Sequence, residues 1–163
     1  MKTPKVIVLI LSYNGKQLLE DSISSYLEND YSNFEVVVID NGSTDGTKEY
    51  VEEKWPEVIV LRTENNLGYS GGFNFGLDFA FNKENADYVL ITNNDVKADP
   101  NVVSELVKVA QSDSSIGFVT GKVYYFDEPD ILQTTGYELI NEKYWLFGHR
   151  GGNEKDNGQY NKV

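Results

Sequence analysis

Residues 36–46 read VVVIDNGSTDG, and residues 88–95 read YVLITNND. Each segment is an apolar run rich in β-branched residues that stops at a cluster of Asn and Asp, which predicts a buried strand followed by a polar turn. If both strands are parallel members of one sheet, Asp40 and Asp95 emerge at the same rim, where open α/β sheets bind ligands. The two segments therefore predict a fold and a site together.

The rest of the chain extends this pattern. Apolar runs at residues 6–11 and 58–61 lack polar alternation, which is typical of strands covered on both faces. Segments with helical spacing lie between the runs, and Asp99-Pro100 marks the start of a helix that continues to Ala110. We therefore predict an α/β fold with a mostly parallel sheet and helices on both of its faces.

Beyond residue 115 the sequence no longer alternates between predicted strands and helices. We expect a strand over residues 116–119 and a hairpin formed by residues 137–140 and 144–147. The hairpin carries aromatic residues that either pack within it or contribute to an acceptor surface or a dimer contact, namely Tyr137, Tyr144, Trp145 and Phe147. Residues 148–163 are rich in Gly, Asn and charge, which predicts a polar loop or tail in which the chain is cut off. One domain is then expected over residues 1–147.

Composition narrows the classes of partner. The 163 residues include 14 basic and 26 acidic side chains, for a net charge of -12, which disfavours nucleic acid and anionic lipid surfaces. An acidic protein still binds phosphorylated ligands when a divalent cation lies between carboxylates and phosphates. The absence of cysteine excludes disulfides and Cys-ligated zinc. The apolar run near the start is far too short for a signal peptide or membrane span, so we expect a cytoplasmic protein.

Two carboxylates at the strand ends are candidates for ligand binding. Asp40 has the chemistry to accept hydrogen bonds from a base or ribose, or alternatively to hold its own turn. Asp95, with amide oxygens of Asn93 and Asn94 beside it, is a candidate ligand for a hard cation, or alternatively part of a turn before the next helix. For both residues the sequence leaves the two alternatives open.

Two glycine-rich segments are less specific. Residues 64–76 lead into a helix, and their glycines suit either close approach of a ligand or tight packing at Gly72 and Gly76. In the polar tail, His149 and Arg150 either contribute to a metal or diphosphate site or are simply exposed. The residues by themselves do not decide between these interpretations.

Four motifs, in this order and spacing, closely resemble family 2 glycosyltransferases, particularly the rhamnosyltransferase-like branch. They are VIVLILSYNG (6–15), VVVIDNGSTDGT (36–47), NNLGYSGGFNFG (65–76) and YVLITNNDV (88–96). The resemblance implies the glycosyltransferase type A (GT-A, Rossmann-like) fold and a nucleotide-diphosphate sugar donor, with UDP or dTDP favoured. It also implies Mg²⁺ or Mn²⁺ and transfer with inversion at the anomeric carbon.

The resemblance also implies roles for individual residues. By this resemblance Ser12, Tyr13 and Asn14 would line the base and ribose pocket, and Asp40, followed by Asn41, would contact the base. Asn66 and Gly68 would lie beside the nucleotide, and Asn94 would approach the ribose or donor sugar. Asp95 would bind the metal. Asn93 departs from the family, which usually has an acid at the first position of its D-x-D signature.

The expected function is sugar transfer to a hydroxyl of a glycan or lipid-linked acceptor, in polysaccharide or glycolipid synthesis. The family's general base lies in a later Glu-Asp segment that this chain lacks, so we expect the base beyond residue 163 and donor binding within the chain. Alternatives are a nucleotide-binding module without turnover and a sugar nucleotidyltransferase, for which residues 12–16 match poorly. We expect a cytoplasmic location and leave open both peripheral association with the inner face of the membrane and a homodimer.

Overall fold

The computed structural model describes residues 3–141, 143–144 and 146–161. The chain forms two compact units, residues 1–107 and 108–163. None of the helices in the described ranges is long and apolar enough to cross a membrane.

The first unit is built on a four-stranded parallel sheet. Its strands are β1 (Val6–Ser12), β2 (Phe34–Asp40), β3 (Ile59–Arg62) and β4 (Tyr88–Asn93). They lie in the order β3-β2-β1-β4, and every neighbouring pair is parallel. The four predicted strands and the parallel sheet are therefore confirmed.

Helices cover both faces of this sheet, as predicted. They are α1 (Leu19–Leu27) after a 3₁₀ turn, α2 (Thr47–Lys54), α3 (Gly68–Asp78), which continues into a π-helical turn at Phe79–Lys83, and α4 (Val102–Ala110). One face of the sheet packs against buried residues of α1, α2 and α4. The other face packs against Phe73 of α3 and Ala80 of the π-helical turn. Successive residues of β1 and β2 alternate between these two apolar clusters, which explains their unbroken apolar sequences.

Helix α3 lies close to the sheet because glycines occupy two of its positions that face the sheet. A Cβ added at Gly72 would lie 2.5 Å from Leu11 Cδ1, and one added at Gly76 would collide with Ile39 and crowd Leu9. Ile39 and Leu9 are fully buried, so neither has free space to move into. The packing interpretation of these two glycines is confirmed.

The described residues of the second unit form four short strands. They are β5 (Val123–Tyr124), β6 (Leu132–Thr134), β7 (Tyr137–Asn141) and β8 (Leu146–His149). β5 pairs with β6, and β7 pairs antiparallel with β8, so the predicted hairpin is confirmed. Trp145 lies outside the described residues. Tyr137, Tyr144 and Phe147 are largely exposed.

The prediction of a strand over residues 116–119 is wrong. This segment is irregular, the backbone N–H of Ile116 donates to the Asp113 carbonyl, and Phe118 is fully exposed. A strand requires a neighbour for its backbone hydrogen bonds, and an apolar composition does not supply one. Residues 148–161, expected as a polar loop, include the end of β8 and an isolated bridge between Ile131 and Lys155.

A polar cluster stabilises the second unit around Asp156. Its Oδ2 accepts hydrogen bonds from Lys122 Nζ at 2.6 Å and from the Tyr124 hydroxyl at 2.5 Å. The hydrogen bond from Lys122, then those from Tyr124 and the Gly158 backbone, lower the pKa of Asp156 from 3.8 to about 2. The hydrogen bond to Asp156 and burial raise the pKa of Tyr124 to about 12.

We expect the stabilisation provided by Asp156 to be complete above its unfolded pKa of 3.8 and to be lost as pH falls through about 2, since its folded pKa is depressed. An NMR titration of the Asp156 carboxyl group would measure this. Lys122→Gln should raise the pKa of Asp156, while Lys155→Gln should leave it unchanged because Lys155 pairs with Asp130. A wild-type pKa near 3.8 would contradict the prediction.

For the first unit, we expect Gly76→Val to lower the free energy of unfolding by about 1–3 kcal/mol, because the added atoms overpack the contact with Ile39 and Leu9. Chemical denaturation measures the change. The matched control is Asn74→Val, at an exposed position of the same helix, where Asn and Val have similar helix propensities and a change of under about 0.5 kcal/mol is expected. Equal effects of both substitutions would contradict the packing argument.

Candidate functional site

The strand register brings the predicted site residues to one rim of the sheet. Ser12 lies opposite Asp40, Asp40 lies opposite Arg62, and Leu11 lies opposite Asn93. All four strands are parallel, so this is the carboxyl-terminal rim, where ligands of open α/β sheets bind. The convergence expected from the sequence is therefore present.

Asp40 is held in a buried ion pair at this rim. Its side chain is 0% exposed, and its Oδ1 accepts a hydrogen bond from the Ser43 backbone N–H at 2.9 Å. Its Oδ2 accepts one from Arg62 Nη1 at 2.7 Å, while Arg62 Nη2 donates to the Ser43 carbonyl at 2.8 Å. Asp40 thus organises its own turn and binds Arg62. The direct contact of Asp40 with a base stays a prediction.

Sequence reasoning missed Arg62. It ends the apolar run of β3 and has no motif around it, but its cationic side chain at a strand end was a usable signal. The arginine side chain is 39% exposed, in contrast to the fully buried carboxylate that it binds. Arg62 is therefore the accessible member of the pair.

Asn41 joins β2 to the start of α3. Its Nδ2 donates to Asn66 Oδ1 at 3.0 Å and to the Gly68 carbonyl at 3.1 Å. Its Oδ1 accepts from the Leu67 backbone N–H at 3.0 Å and from the Thr63 hydroxyl at 3.3 Å. Asn41 is 2% exposed, so its role in this structure is to hold the segment that contains Asn66 and Gly68.

The turn after β1 is tied to the turn after β2. Asn14, which has a positive φ of 49°, donates its backbone N–H to Ser43 Oγ and accepts at Oδ1 from the Thr44 backbone N–H. Asp45 accepts from the backbone N–H groups of Lys16 and Thr47. Burial raises the pKa of Asp45, but the hydrogen bonds from Thr47 and Lys16 outweigh it and lower the pKa overall. Hydrogen bonds therefore join the two turns to each other.

The remaining predicted residues lie around these two turns. Asn94 Nδ2 donates to Ser12 Oγ at 3.1 Å, which links the end of β4 to that of β1. Tyr13 is 50% exposed, Ser12 is buried, and Gly68 is exposed with a φ of 71°. Each of these residues is brought to the same rim by its strand or by the Asn41 contacts. The accessible groups of this rim therefore include the Tyr13 ring and the Asn14 and Asn66 side chains.

The donor set at the end of β4 fits a hard cation only in part. Asp95 is exposed and makes no ion pair within the described residues. No group of three or more His, Cys, Asp or Glu side chains in the described ranges is arranged to hold a metal ion. One carboxylate with neighbouring amide oxygens suits Mg²⁺ or Mn²⁺ when ligand oxygens and water complete the coordination.

His149 and Arg150 both lie in the second unit, each against a tyrosine. The His149 ring lies 4.7 Å from the ring of Tyr137, between centroids, and the Arg150 guanidinium lies 5.0 Å from the Tyr160 ring. A role for either residue at a metal or diphosphate stays a prediction.

Comparisons with known proteins agree with the resemblance seen in the motifs. The family described as glycosyl transferase family 2 matches residues 7–159. The glycosyltransferase GlyG of Streptococcus pneumoniae is 28% identical over 85% of this chain and 46% of its own length. The poly-beta-1,6-N-acetyl-D-glucosamine synthase of Staphylococcus aureus is 26% identical over 83% of this chain and 33% of its own.

Among solved structures, the mannosyltransferase PcManGT from Pyrobaculum calidifontis, in complex with GDP-Man and Mn²⁺, is similar with a TM-score of 0.67. It is 28% identical and is matched over 77% of this chain and 37% of its own. The fold is thus that of the GT-A glycosyltransferases. The chain belongs to glycosyl transferase family 2, and it spans between a third and a half of the length of GlyG and of the synthase.

We expect Asn41→Ala to lower the free energy of unfolding by about 2–3 kcal/mol, because it removes four hydrogen bonds of the buried Asn41 side chain, to Thr63 and to residues 66–68. Urea denaturation measures this loss. The matched control is Asn82→Ala, which removes one exposed hydrogen bond to Asp78 and should cost under about 0.5 kcal/mol. If Asn41→Ala is as mild as Asn82→Ala, the joining role of Asn41 is wrong.

Proposed function

We propose that this chain carries the donor-binding part of a glycosyltransferase that moves a sugar from a nucleotide-diphosphate sugar to a hydroxyl of a glycan or lipid-linked acceptor. The observation that carries the proposal is the convergence of the three turns after β1, β2 and β4 at one rim. Membership of glycosyl transferase family 2 supports the same donor class. A relative named for synthesis of poly-beta-1,6-N-acetyl-D-glucosamine supports a glycan as the acceptor.

Within this site we propose that Tyr13, Asn14 and Asn66 contact the base and ribose. Tyr13 offers a half-exposed ring for stacking, and Asn14 and Asn66 are exposed at the rim. Asn41 acts by holding Asn66, and Ser12 acts by binding Asn94, since both Asn41 and Ser12 are buried and hydrogen-bonded. Asn94, half-buried beside Ser12, is proposed to approach the ribose or donor sugar.

We propose Asp95 as the protein carboxylate that holds Mg²⁺ or Mn²⁺, with amide oxygens of Asn93 and Asn94 nearby. A bound divalent cation would neutralise the charge that develops on the leaving diphosphate. The proposal is supported by the exposed carboxylate at the strand end and by the Mn²⁺ in the similar mannosyltransferase complex. It also explains how a chain of net charge -12 would bind a diphosphate.

Transfer with inversion requires a base on the face of the sugar opposite the leaving nucleotide. We propose that a residue outside this chain supplies it, since the chain spans only part of its relatives. The chain would then bind the donor but transfer sugar poorly. A lipid-linked acceptor would place the protein at the cytoplasmic face of a membrane.

A thermal-shift panel with UDP, dTDP, GDP and ADP, each with Mn²⁺ or with chelator, tests the donor site. A ligand at about 100 times its Kd stabilises by about 2.7 kcal/mol, which raises Tm by several degrees. We expect a metal-dependent rise for at least one diphosphate, and a smaller rise for Asp95→Asn. No rise with any nucleotide, from a folded sample, would contradict the proposal.

The matched control is Asp21→Asn, which removes an exposed carboxylate from the first turn of α1, outside the turns that follow β1, β2 and β4. The Tm of Asp21→Asn should rise with nucleotide and Mn²⁺ as much as that of the wild type. An Asp95→Asn protein that keeps the full metal-dependent shift would overturn the metal assignment while leaving the nucleotide site intact. Sugar transfer or donor hydrolysis by a longer chain would distinguish an enzyme from a binding module.

A further inference from the structure

We infer that Arg62, held in place by Asp40, contacts the base of the bound nucleotide and selects keto bases over amino bases. The keto bases are uracil, thymine and guanine, and the amino bases are cytosine and adenine. The inference rests on the proposed function, because it assigns a specificity-determining residue within the same nucleotide site. It changes the role of Asp40 from direct contact to positioning.

The first step of the argument is that Asp40 is closed to a ligand. Its side chain is fully buried, and each oxygen already accepts a hydrogen bond, from Ser43 or from Arg62. A carboxylate oxygen has further lone pairs, but a base cannot reach them without displacing these donors. In this arrangement the carboxylate acts on a ligand only through the group that it binds.

The second step is that Arg62 still has donors to offer. A guanidinium carries five N–H groups, and the contacts to Asp40 and to the Ser43 carbonyl use two of them. The side chain is 39% exposed, so the remaining N–H groups are open to a partner at the rim. Two fixed contacts hold the planar guanidinium in one orientation, which lowers the entropy cost of a further hydrogen bond.

The third step is chemical. Arginine only donates hydrogen bonds, so it pairs with a carbonyl oxygen and opposes an exocyclic amino group. Uracil and thymine carry a carbonyl where cytosine carries an amino group, and guanine differs from adenine in the same way. A site that donates hydrogen bonds disfavours an analogue that cannot accept them, because donors that the bound ligand shields from water are left without partners.

The position of Arg62 agrees with contact at the base. The register aligns Arg62 with Asp40 on the neighbouring strand and Asp40 with Ser12 on the next, and the Thr63 backbone N–H donates to the Asp40 carbonyl. The end of β3 is thereby joined to the turn that the family resemblance associates with the base. The guanidinium is thus at the same rim as Tyr13 and Asn14.

The test measures the Kd of the 163-residue chain for UDP, CDP, GDP and ADP by calorimetry in Mn²⁺. We expect the wild type to prefer UDP over CDP, or GDP over ADP, by about tenfold or more. Arg62→Gln should bring that ratio within about threefold of one, since an amide offers either a donor or an acceptor. Arg62→Lys should retain part of the preference.

Two controls distinguish this role from general effects of charge and folding. Lys48→Gln removes an exposed cation from α2, where it pairs with Glu52, and should leave the ratio unchanged. If Arg62→Gln does not fold because Asp40 loses its counter-ion, the double variant Asp40→Asn/Arg62→Gln removes both charges and should also lose the preference.

The outcomes separate this inference from the proposed function. An Arg62→Gln or double-variant protein that keeps the wild-type ratio overturns the role of Arg62, as does a wild type that binds all four nucleotides equally or prefers amino bases. In those cases the donor site itself stands. A folded wild type that binds none of the four overturns both.

Discussion

The register of the parallel strands is the constraint on which the rest of the first unit depends. β1 and β2 are buried on both faces, and a slip by one residue would exchange the residues that face the two apolar clusters. The register is therefore strongly specified by packing. It aligns Ser12, Asp40 and Arg62 across three strands, so that the geometry of the rim follows from the apolar residues below it.

Polar residues at the strand ends satisfy one another, and this organises the rim without a ligand. Asp40 binds Arg62 and its own turn, Asn41 holds the start of α3, and Asn94 binds Ser12. Each contact replaces hydrogen bonds to water for a group that is wholly or partly buried. Leaving such a group without a partner would lower the stability of the fold. The result divides the rim into supporting residues and accessible ones, and ligand chemistry depends mainly on the second group.

Prediction from sequence was most successful where the apolar pattern was continuous. The strands ending at Asp40 and Asn93 were expected from apolar runs, and burial on both faces explains the run of β2, while β4 is an edge strand that is only partly buried. It was wrong at residues 116–119, where an apolar stretch has no strand neighbour. Arg62 was missed because its importance comes from its contact with Asp40, which is 22 residues away in the chain.

The sequence by itself determined the α/β class, the parallel sheet and the group of residues near the rim, because periodicity and turn chemistry are local properties. It also carried the motifs of glycosyl transferase family 2. Only the tertiary structure decided which of these residues are buried supports and which are accessible. Burial and hydrogen-bond partners are set by strands and turns that are distant in the chain, so Asp40 became a buried anchor and Arg62 its exposed partner.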